Sequence, residues 1–319
     1  MTKVFVTGGS GFIGTTVVNM ALNDGMEVVS FDKKEFTTLH QTNPTETDNL
    51  KTVKGNILDY ELLKSSLSGC DAIVHLAAEV SVPYSFENPE HVMNVNVDGT
   101  QNVINAAKKL GIKKLILASS AAVYGDSKNL PLNEEEVCHP QSPYAESKLQ
   151  NELQAIDAQN NGIDVFCLRF FNVYGSVAKT SSTYSSVIPQ FLAKILENLP
   201  PQIYGDGTQT RDFVHVEDVS NLILKLLKNK LKRSSQIVFN VATQKPTSLL
   251  HLIDIMNQKL VDIGDKSKPI TPQYQPQREG DITHSLGDIN KVQNYINWAP
   301  SITMEKGIER LVANSLGTE

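Results

Sequence analysis

The chain has 319 residues, 40% apolar and 20% charged, with a net charge of −6 at pH 7. This balance is globular and excludes general disorder, and a chain this long buries roughly three quarters of its unfolded surface without disulfide or metal staples. No apolar run approaches the ~18 residues of a membrane span, the N-terminal apolar stretch is too short for a signal peptide, and the scattered lysines form no nucleic-acid-binding face. Cys70, Cys138 and Cys167 lie far apart without a CxxC pair, which speaks against a disulfide framework or zinc site and for a reducing, cytoplasmic setting.

Residues 3–7 form a short β-rich run. Residues 12–22 carry apolar side chains at helical spacing and stop at Asn23-Asp24-Gly25, a helix-ending signal. Residues 27–31 predict a second strand, 51–54 a weaker third, and 72–76 and 115–119 strong strands with a helix over 89–110 between them. Residues 144–160 read as a helix and 165–169 as another strand. The alternation implies parallel βαβ units: an α/β fold with a doubly wound parallel sheet. Residues 37–49 are polar and read as loop or irregular helix. Beyond Asn172 the alternation weakens. Residues 176–186 are rich in Ser and Thr, 217–230 predict a helix, and 237–241 predict a strand that returns to the sheet. Residues 266–278, rich in Pro and Gln, read as an extended loop.

Thr7-Gly8-Gly9-Ser10-Gly11-Phe12-Ile13-Gly14 follows the first strand and opens the first helix. It matches G-x-x-G-x-x-G from Gly8 and G-x-G-x-x-G from Gly9. Glycines let the backbone turn tightly against a pyrophosphate, and the helix N-terminus adds free N–H groups and a positive dipole. The strand, turn and helix context raises this above a bare motif match. Asp32 ends the second strand, 18 residues after Gly14. A carboxylate there bonds ribose hydroxyls and repels a 2′-phosphate, which favours NAD over NADP. Lys33 and Lys34 read as a solvated charge pair.

With these features, the chain resembles the extended short-chain dehydrogenase/reductases of the NAD-dependent epimerase/dehydratase family. It is most similar to the UDP-glucose and UDP-N-acetylglucosamine 4-epimerase type. The resemblance runs through His75-Leu76-Ala77-Ala78, Asn96-Val97-Asp98-Gly99-Thr100, Ser119-Ser120-Ala121-Ala122-Val123-Tyr124-Gly125 and Ser142-Pro143-Tyr144-Ala145-Glu146-Ser147-Lys148. It continues through Arg169-Phe170-Phe171-Asn172, Tyr204-Gly205-Asp206-Gly207, Arg211-Asp212-Phe213-Val214-His215 and Arg278-Glu279-Gly280-Asp281. It implies a Rossmann domain over residues 1–171, re-entered by about 212–241, and a smaller sugar-nucleotide-binding domain from 172–211 and 242–319. It also implies a homodimer through the helices near 89–110 and 144–160.

The family's Tyr-x-x-x-Lys motif occurs here three times, at Tyr60/Lys64, Tyr124/Lys128 and Tyr144/Lys148. Tyr124 precedes a glycine loop, and Tyr60 follows the third strand, toward the adenine end. Only Tyr144/Lys148 opens a helix after the fifth strand, 24 residues beyond Ser120, and i, i+4 spacing puts both side chains on one face. A free tyrosine, with pKa ~10, is a poor base at pH 7. A nearby ammonium and a cationic nicotinamide are expected to lower that value. Ser120 would hold the reacting hydroxyl beside Tyr144. Ala122 stands where the family's dehydratases and decarboxylases carry an acid, which favours simple oxidation and re-reduction.

The resemblance carries further roles onto this chain. Gly8, Gly11, Phe12, Ile13, Gly14, Asp32, Asn56, Ile57, Leu76, Ala77, Ala78, Asn96, Tyr144, Lys148 and Phe170 would hold NAD. Ser81, Val82, Ser120, Asn172, Tyr204, Arg211, Arg278, Asp281 and Ser285 would hold the UDP-sugar. Guanidinium forks suit a diphosphate, and Arg211 and Arg278 are two of only five arginines. Ser285, four positions past Asp281, leaves room for a C2 N-acetyl group that a tyrosine ring would fill. The expected reaction is C4 epimerisation through a 4-keto sugar. A UDP-glucuronate 4-epimerase, a net reductase and a non-catalytic dinucleotide-binding protein remain alternatives. His75 reads as a satisfied core histidine, His215 as non-catalytic, and Glu134-Glu135-Glu136 as a solvated acidic loop. The histidines and cysteines show no metal-ligand spacing.

Overall fold

Apolar, β-branched runs separated by helical periods fold in the first half into strands β1 (Lys3–Thr7), β2 (Glu27–Asp32), β3 (Leu50–Lys54), β4 (Ala72–His75), β5 (Lys114–Ser120) and β6 (Asp164–Phe170). The helices between them are α1 (Phe12–Asn23), α2 (Tyr60–Leu67), α3 (Val82–Glu87), α4 (Pro89–Met93), α5 (Gly99–Leu110) and α6 (Pro143–Asn160). The computed structural model describes residues 2–36, 48–176, 186–229, 237–264, 268–277 and 282–317. The second half contributes β7 (Asn172–Tyr174), α7 (Val187–Leu196), β8 (Gln202–Tyr204), β9 (Thr210–His215), α8 (Val216–Lys228), β10 (Val238–Val241), β11 (Pro246–Ser248), α9 (Leu249–Asp262), β12 (Gln273–Gln275), α10 (Asn290–Ile296) and α11 (Met304–Leu316).

Seven strands form one parallel sheet in the order β10-β6-β5-β4-β1-β2-β3. The chain winds one way from β1 and the other way from β4. The crevice beyond the carboxyl ends of these two strands is therefore the topological switch point, where such sheets bind ligands. Both faces are covered, so the strands are near-continuously apolar. Val4, Val6, Ile116 and Leu168 pack toward Val17 and Val18 of α1 and Leu222 and Ile223 of α8. Phe5, Ile73, Leu115 and Leu117 pack toward Leu63 and Leu67 of α2, Val103 and Ile104 of α5, and Ala155 and Ala158 of α6. Truncating a fully buried leucine such as Leu117 costs about 2–5 kcal/mol, a large part of a stability of about 5–15 kcal/mol. A third cluster joins Phe191, Leu252, Met256, Ile308 and Val312 of α7, α9 and α11 to Ile203 and Phe213 of β8 and β9.

The structure departs from the sequence expectation in several places. The helix expected over 89–110 is two helices joined by a π-helical turn, Asn94–Asp98. Within that turn the Asn96 carbonyl accepts hydrogen bonds from the Thr100 hydroxyl (2.6 Å) and the Asn151 amide (2.8 Å), the kind of side-chain insertion that accompanies such widened turns. In the stretch 212–241 only β10 joins the large sheet. β9 instead pairs parallel with β7 and antiparallel with β11, while α8 packs on α1. The proposed extended loop holds β12, which pairs parallel with β8. Glu134 is half-buried rather than solvated. Its carboxylate accepts the Asn240 N–H at 2.7 Å, and burial raises its pKa. The expectation of loop or irregular helix over 37–47 and the Ser/Thr-rich loop over 177–185 lie outside the described residues.

Candidate active site

The glycine turn is forced by close approach. Gly8 has φ +69°, and a Cβ there would sit 2.7 Å from the Ala77 nitrogen; a Cβ on Gly14 would sit 2.0 Å from the Gly8 carbonyl. Gly11 is exposed and caps α1 without a side-chain hydrogen bond. Asp59, Ser142 and His215 do supply such a bond for α2, α6 and α8. Gly11 thus leaves the first turn of α1, with the N–H groups of Phe12 and Ile13, without a capping side chain, which fits an anionic pyrophosphate.

Thr7 ties the crevice shut at its base. Its hydroxyl accepts from the backbone nitrogens of Leu76 and Ala77, both at 3.2 Å, and lies 2.7 Å from His75 Nδ1. Leu76, Ala77 and Ala78 are partly exposed beside the turn. His75 Nε2 meets the Thr100 hydroxyl at 2.9 Å, so the histidine is satisfied within the core, as read from the sequence. Burial pushes its pKa down to about 3. At the other lip, the Asp32 carboxylate accepts from Ser10 N at 3.1 Å and Lys34 N at 2.9 Å. Lys33 reaches across the surface to Glu79 at 2.7 Å. Asn56 is exposed and folds back on Leu58 N at 3.1 Å, while Ile57 is buried beneath Gly99.

Ser120, Tyr144 and Lys148 converge beyond the end of β5. The Ser142 hydroxyl caps α6 through Ala145 N at 3.1 Å, with Pro143 in the first turn. This fixes where the helix starts and hence where Tyr144 points. The Ser120 hydroxyl accepts from Ala122 N at 3.2 Å and lies close enough to Tyr144 to favour its charged form. The Lys148 ammonium lies 6.0 Å from the Tyr144 ring centre and donates to the Ala118 carbonyl at 3.0 Å. Phe170 is paired in register with Ser120. In the protein chain alone the pKa directions follow burial. Burial pushes the Tyr144 phenol up, opposed in part by Ser120. Burial also lowers Lys148 to about 8, so at neutral pH most of it remains charged. The Lys148 ammonium spends its hydrogen bond on the Ala118 carbonyl.

Asn96, expected beside the nicotinamide, is buried, and its amide is spent on protein. It donates to the Glu79 carbonyl (3.0 Å) and the Ser147 hydroxyl (2.9 Å) and accepts from Glu79 N (2.8 Å). It ties the segment after β4 to α6 next to Lys148. The Ser81 hydroxyl caps α3 through Tyr84 N at 3.1 Å, and Val82 is exposed.

A second group of residues gathers along β9. Ser285 N donates to Thr210 O at 3.1 Å, and Arg211 reaches back to Thr210 O at 3.0 Å and Thr283 O at 3.5 Å. Asn172 is exposed at the start of β7, and Tyr204 ends β8. The motif's aspartate, Asp212, is buried. Its carboxylate accepts from Thr243 N and Oγ1, Gln244 N and Gly287 N at 2.6–3.2 Å, so it locks the 282–287 segment onto β9. Arg278 and Asp281 lie outside the described residues.

Sequence reasoning missed Thr7, Asp212 and a buried pair, Arg169 with Glu152. The signal for the last was present: an arginine inside the apolar strand Val165-Phe166-Cys167-Leu168-Arg169 requires a partner. Among the described residues no cluster of three or more metal-ligating side chains occurs, and no helix is long and apolar enough to cross a membrane.

A switch-point crevice with an uncapped glycine turn and a Ser/Tyr/Lys centre defines a dinucleotide-dependent enzyme of the short-chain dehydrogenase class. The chain belongs to the NAD dependent epimerase/dehydratase family, whose model matches residues 4–242. A Methanocaldococcus jannaschii protein that bears the name UDP-glucose 4-epimerase provisionally is 36% identical over 313 residues, 97% of each chain. The UDP-glucose 4-epimerase of Mycolicibacterium smegmatis is 31% identical, again over 97% of each. Among solved structures, the UDP-N-acetylglucosamine 4-epimerase of Methanobrevibacter ruminantium M1, in complex with UDP-N-acetylmuramic acid, superposes with a TM-score of 0.89. It shares 33% identity, with 100% of this chain and 99% of that one covered.

Proposed function

We propose that this protein is an NAD-dependent UDP-hexose 4-epimerase. The carrying observation is the meeting of Ser120, Tyr144 and Lys148 beyond β5, at the same sheet end as the uncapped glycine turn. The turn from Gly8 to Gly14 would hold the pyrophosphate, Asp32 the adenosine ribose, Leu76, Ala77 and Ala78 the crevice wall, and Lys148 the nicotinamide ribose. Bound NAD supplies a reversible hydride acceptor and, when oxidised, a positive charge that offsets the desolvation of Tyr144. Tyr144 takes the proton of the C4 hydroxyl, with Ser120 holding that hydroxyl, and returns it after the 4-keto sugar has presented its other face. Ala121 and Ala122, in the turn after Ser120, offer no proton, which disfavours dehydration.

Arg211 and the 282–285 segment are read as part of the sugar-nucleotide clamp, with Arg278 and Asp281. Ser285 leaves space for an N-acetyl group, so UDP-GlcNAc and UDP-GalNAc are substrates alongside UDP-Glc and UDP-Gal. The division into a Rossmann part and a smaller sugar-nucleotide part follows the same reading. Three free thiols fit a reducing, cytoplasmic compartment. Leu153 and Ile156 on α6 and Phe86 on the adjoining α3 are exposed apolar side chains, and this face is read as the homodimer contact. Glutamate at both Leu153 and Ile156 should leave a folded monomer by light scattering.

The decisive experiment incubates the purified protein with UDP-hexoses, their N-acetylated forms and UDP-glucuronate, without added cofactor, and separates the C4 epimers. Denaturation should release NAD, identified by mass. Release of NADP would overturn the cofactor assignment. Net oxidation or reduction would overturn the epimerase reading, and turnover of UDP-glucuronate alone would move the substrate to the uronate, the substrate named for a 31% identical Thermodesulfobacterium geofontis relative.

A further inference from the structure

Behind the proposed reaction centre lies a charged group that the chemistry above does not use. In register, Ser119 of β5, Arg169 of β6 and Asn240 of β10 form one row across the sheet, and the next row is Ser120, Phe170 and Val241. Arg169 and Glu152 are both buried. Arg169 grips Glu152 of α6 with two hydrogen bonds, Nε to Oε1 at 2.9 Å and a terminal nitrogen to Oε2 at 2.7 Å. The Ser119 hydroxyl donates to the same carboxylate at 2.5 Å. Glu152 stands four residues beyond Lys148 and eight beyond Tyr144, on the same helix. The rest of the guanidinium is also occupied. It reaches the Cys138 sulfur at 3.2 Å and the Glu134 carbonyl at 3.5 Å, and its central carbon lies 4.6 Å from the ring centre of Tyr124, in the turn that follows Ser120. The Tyr124 hydroxyl donates to Asn240 at 2.7 Å.

We propose that the Arg169–Glu152 pair is a positioning device that sets helix α6 against the end of β5, one residue row beneath the reaction centre. This inference rests on reading Ser120, Tyr144 and Lys148 as that centre. A buried ion pair is a poor way to gain stability, because desolvation offsets the attraction and apolar residues of similar volume often do as well. Its distinctive product is geometry. A planar fork on a carboxylate fixes both distance and rotation, so the pair determines how far α6 lies from the sheet and which way its face turns. One guanidinium thereby links the helix of Tyr144 and Lys148, the strand of Ser120, the turn of Tyr124 and the 134–138 loop.

The test separates position from stability. In the double variant Arg169→Met/Glu152→Met no buried charge is left unpaired. It should melt near the parent temperature and retain its NAD, yet lose about 10–100-fold in kcat, the scale of a misplacement of about 1 Å. Ionisation of the Tyr144 phenol, taken from ultraviolet difference titration against Tyr144→Phe, should move to higher pH. Parental kcat in a stable double variant would overturn the proposal. If the double variant does not fold, Glu152→Asp keeps the charge but shortens the reach. It should fold with reduced kcat and a displaced Tyr144 titration, and parental values for both would also overturn the proposal. Tyr144→Phe in the same assay distinguishes the two readings. If it stays active, the assignment of the centre fails whatever Arg169 does; if it is inactive while the pair variants match the parent, only the positioning inference fails.

Discussion

The two halves of the crevice are built from different material. Around the glycine turn, main chain does the work: Gly8 and Gly14 permit approaches that no side chain allows, and the uncapped first turn of α1 presents N–H groups. Around Tyr144, side chains do it, and each is held by a partner far away in sequence. Lys148 is held by Ala118, Asn96 joins the segment after β4 to α6, and Asp212 holds the 282–287 segment on β9. A main-chain site tolerates drift in its surroundings but not a methyl group at its glycines. A side-chain site tolerates neither a lost proton acceptor nor an obstructed pocket.

The largest break falls on the side-chain half. Tyr144→Phe should keep the fold and bound NAD while kcat falls about 10²–10⁴-fold, measured by steady-state epimer formation. Next comes Ser285→Tyr, which should suppress turnover of N-acetylated UDP-sugars about 10–200-fold while sparing the plain hexoses. Equal loss on both would show that the segment does not face the sugar. On the main-chain half, Gly14→Ala drives a methyl to 2.0 Å from the Gly8 carbonyl. An overpacking cost of about 1–3 kcal/mol is expected in denaturant melts, with NAD absent from the purified protein.

The last effect, absent at neutral pH, sharpens the comparison at the base of the crevice. His75 is neutral when folded, its pKa depressed from 6.5 to about 3. The unfolded chain therefore binds a proton that the folded one does not between these values. Stability is full above pH 6.5 and falls as pH drops toward 3, at up to about 1.4 kcal/mol per unit. His75→Gln should flatten that part of a stability–pH series.

The alternating order of strand and helix, the glycine turn and the Tyr144/Lys148 spacing were legible because each is a local pattern that repeats or punctuates the chain. The helix stop at Asn23-Asp24-Gly25 belongs to the same kind. What could not be read depends on contacts between distant segments. The π turn at Asn94–Asp98 is accompanied by a bond from Asn151, and Glu134 accepts the N–H of Asn240, more than a hundred residues away. The direction of the Tyr144 shift depends on burial, which a spacing rule does not contain. The assembly of β7, β9 and β11 joins three short strands whose residues carry little period of their own.

The return of β10 to the large sheet has a consequence for synthesis. Strands β1 to β6 are joined by local crossovers and can pair as they leave the ribosome, but β6 ends at Phe170 and its outer neighbour begins only at Val238. At translation rates of about 5–20 residues per second, β6 waits several seconds as a bare edge. During that time its row of unpaired N–H and C=O groups is open to other chains. The nascent protein is therefore most exposed to misassociation after its nucleotide crevice has taken shape and before Val241 seals the side.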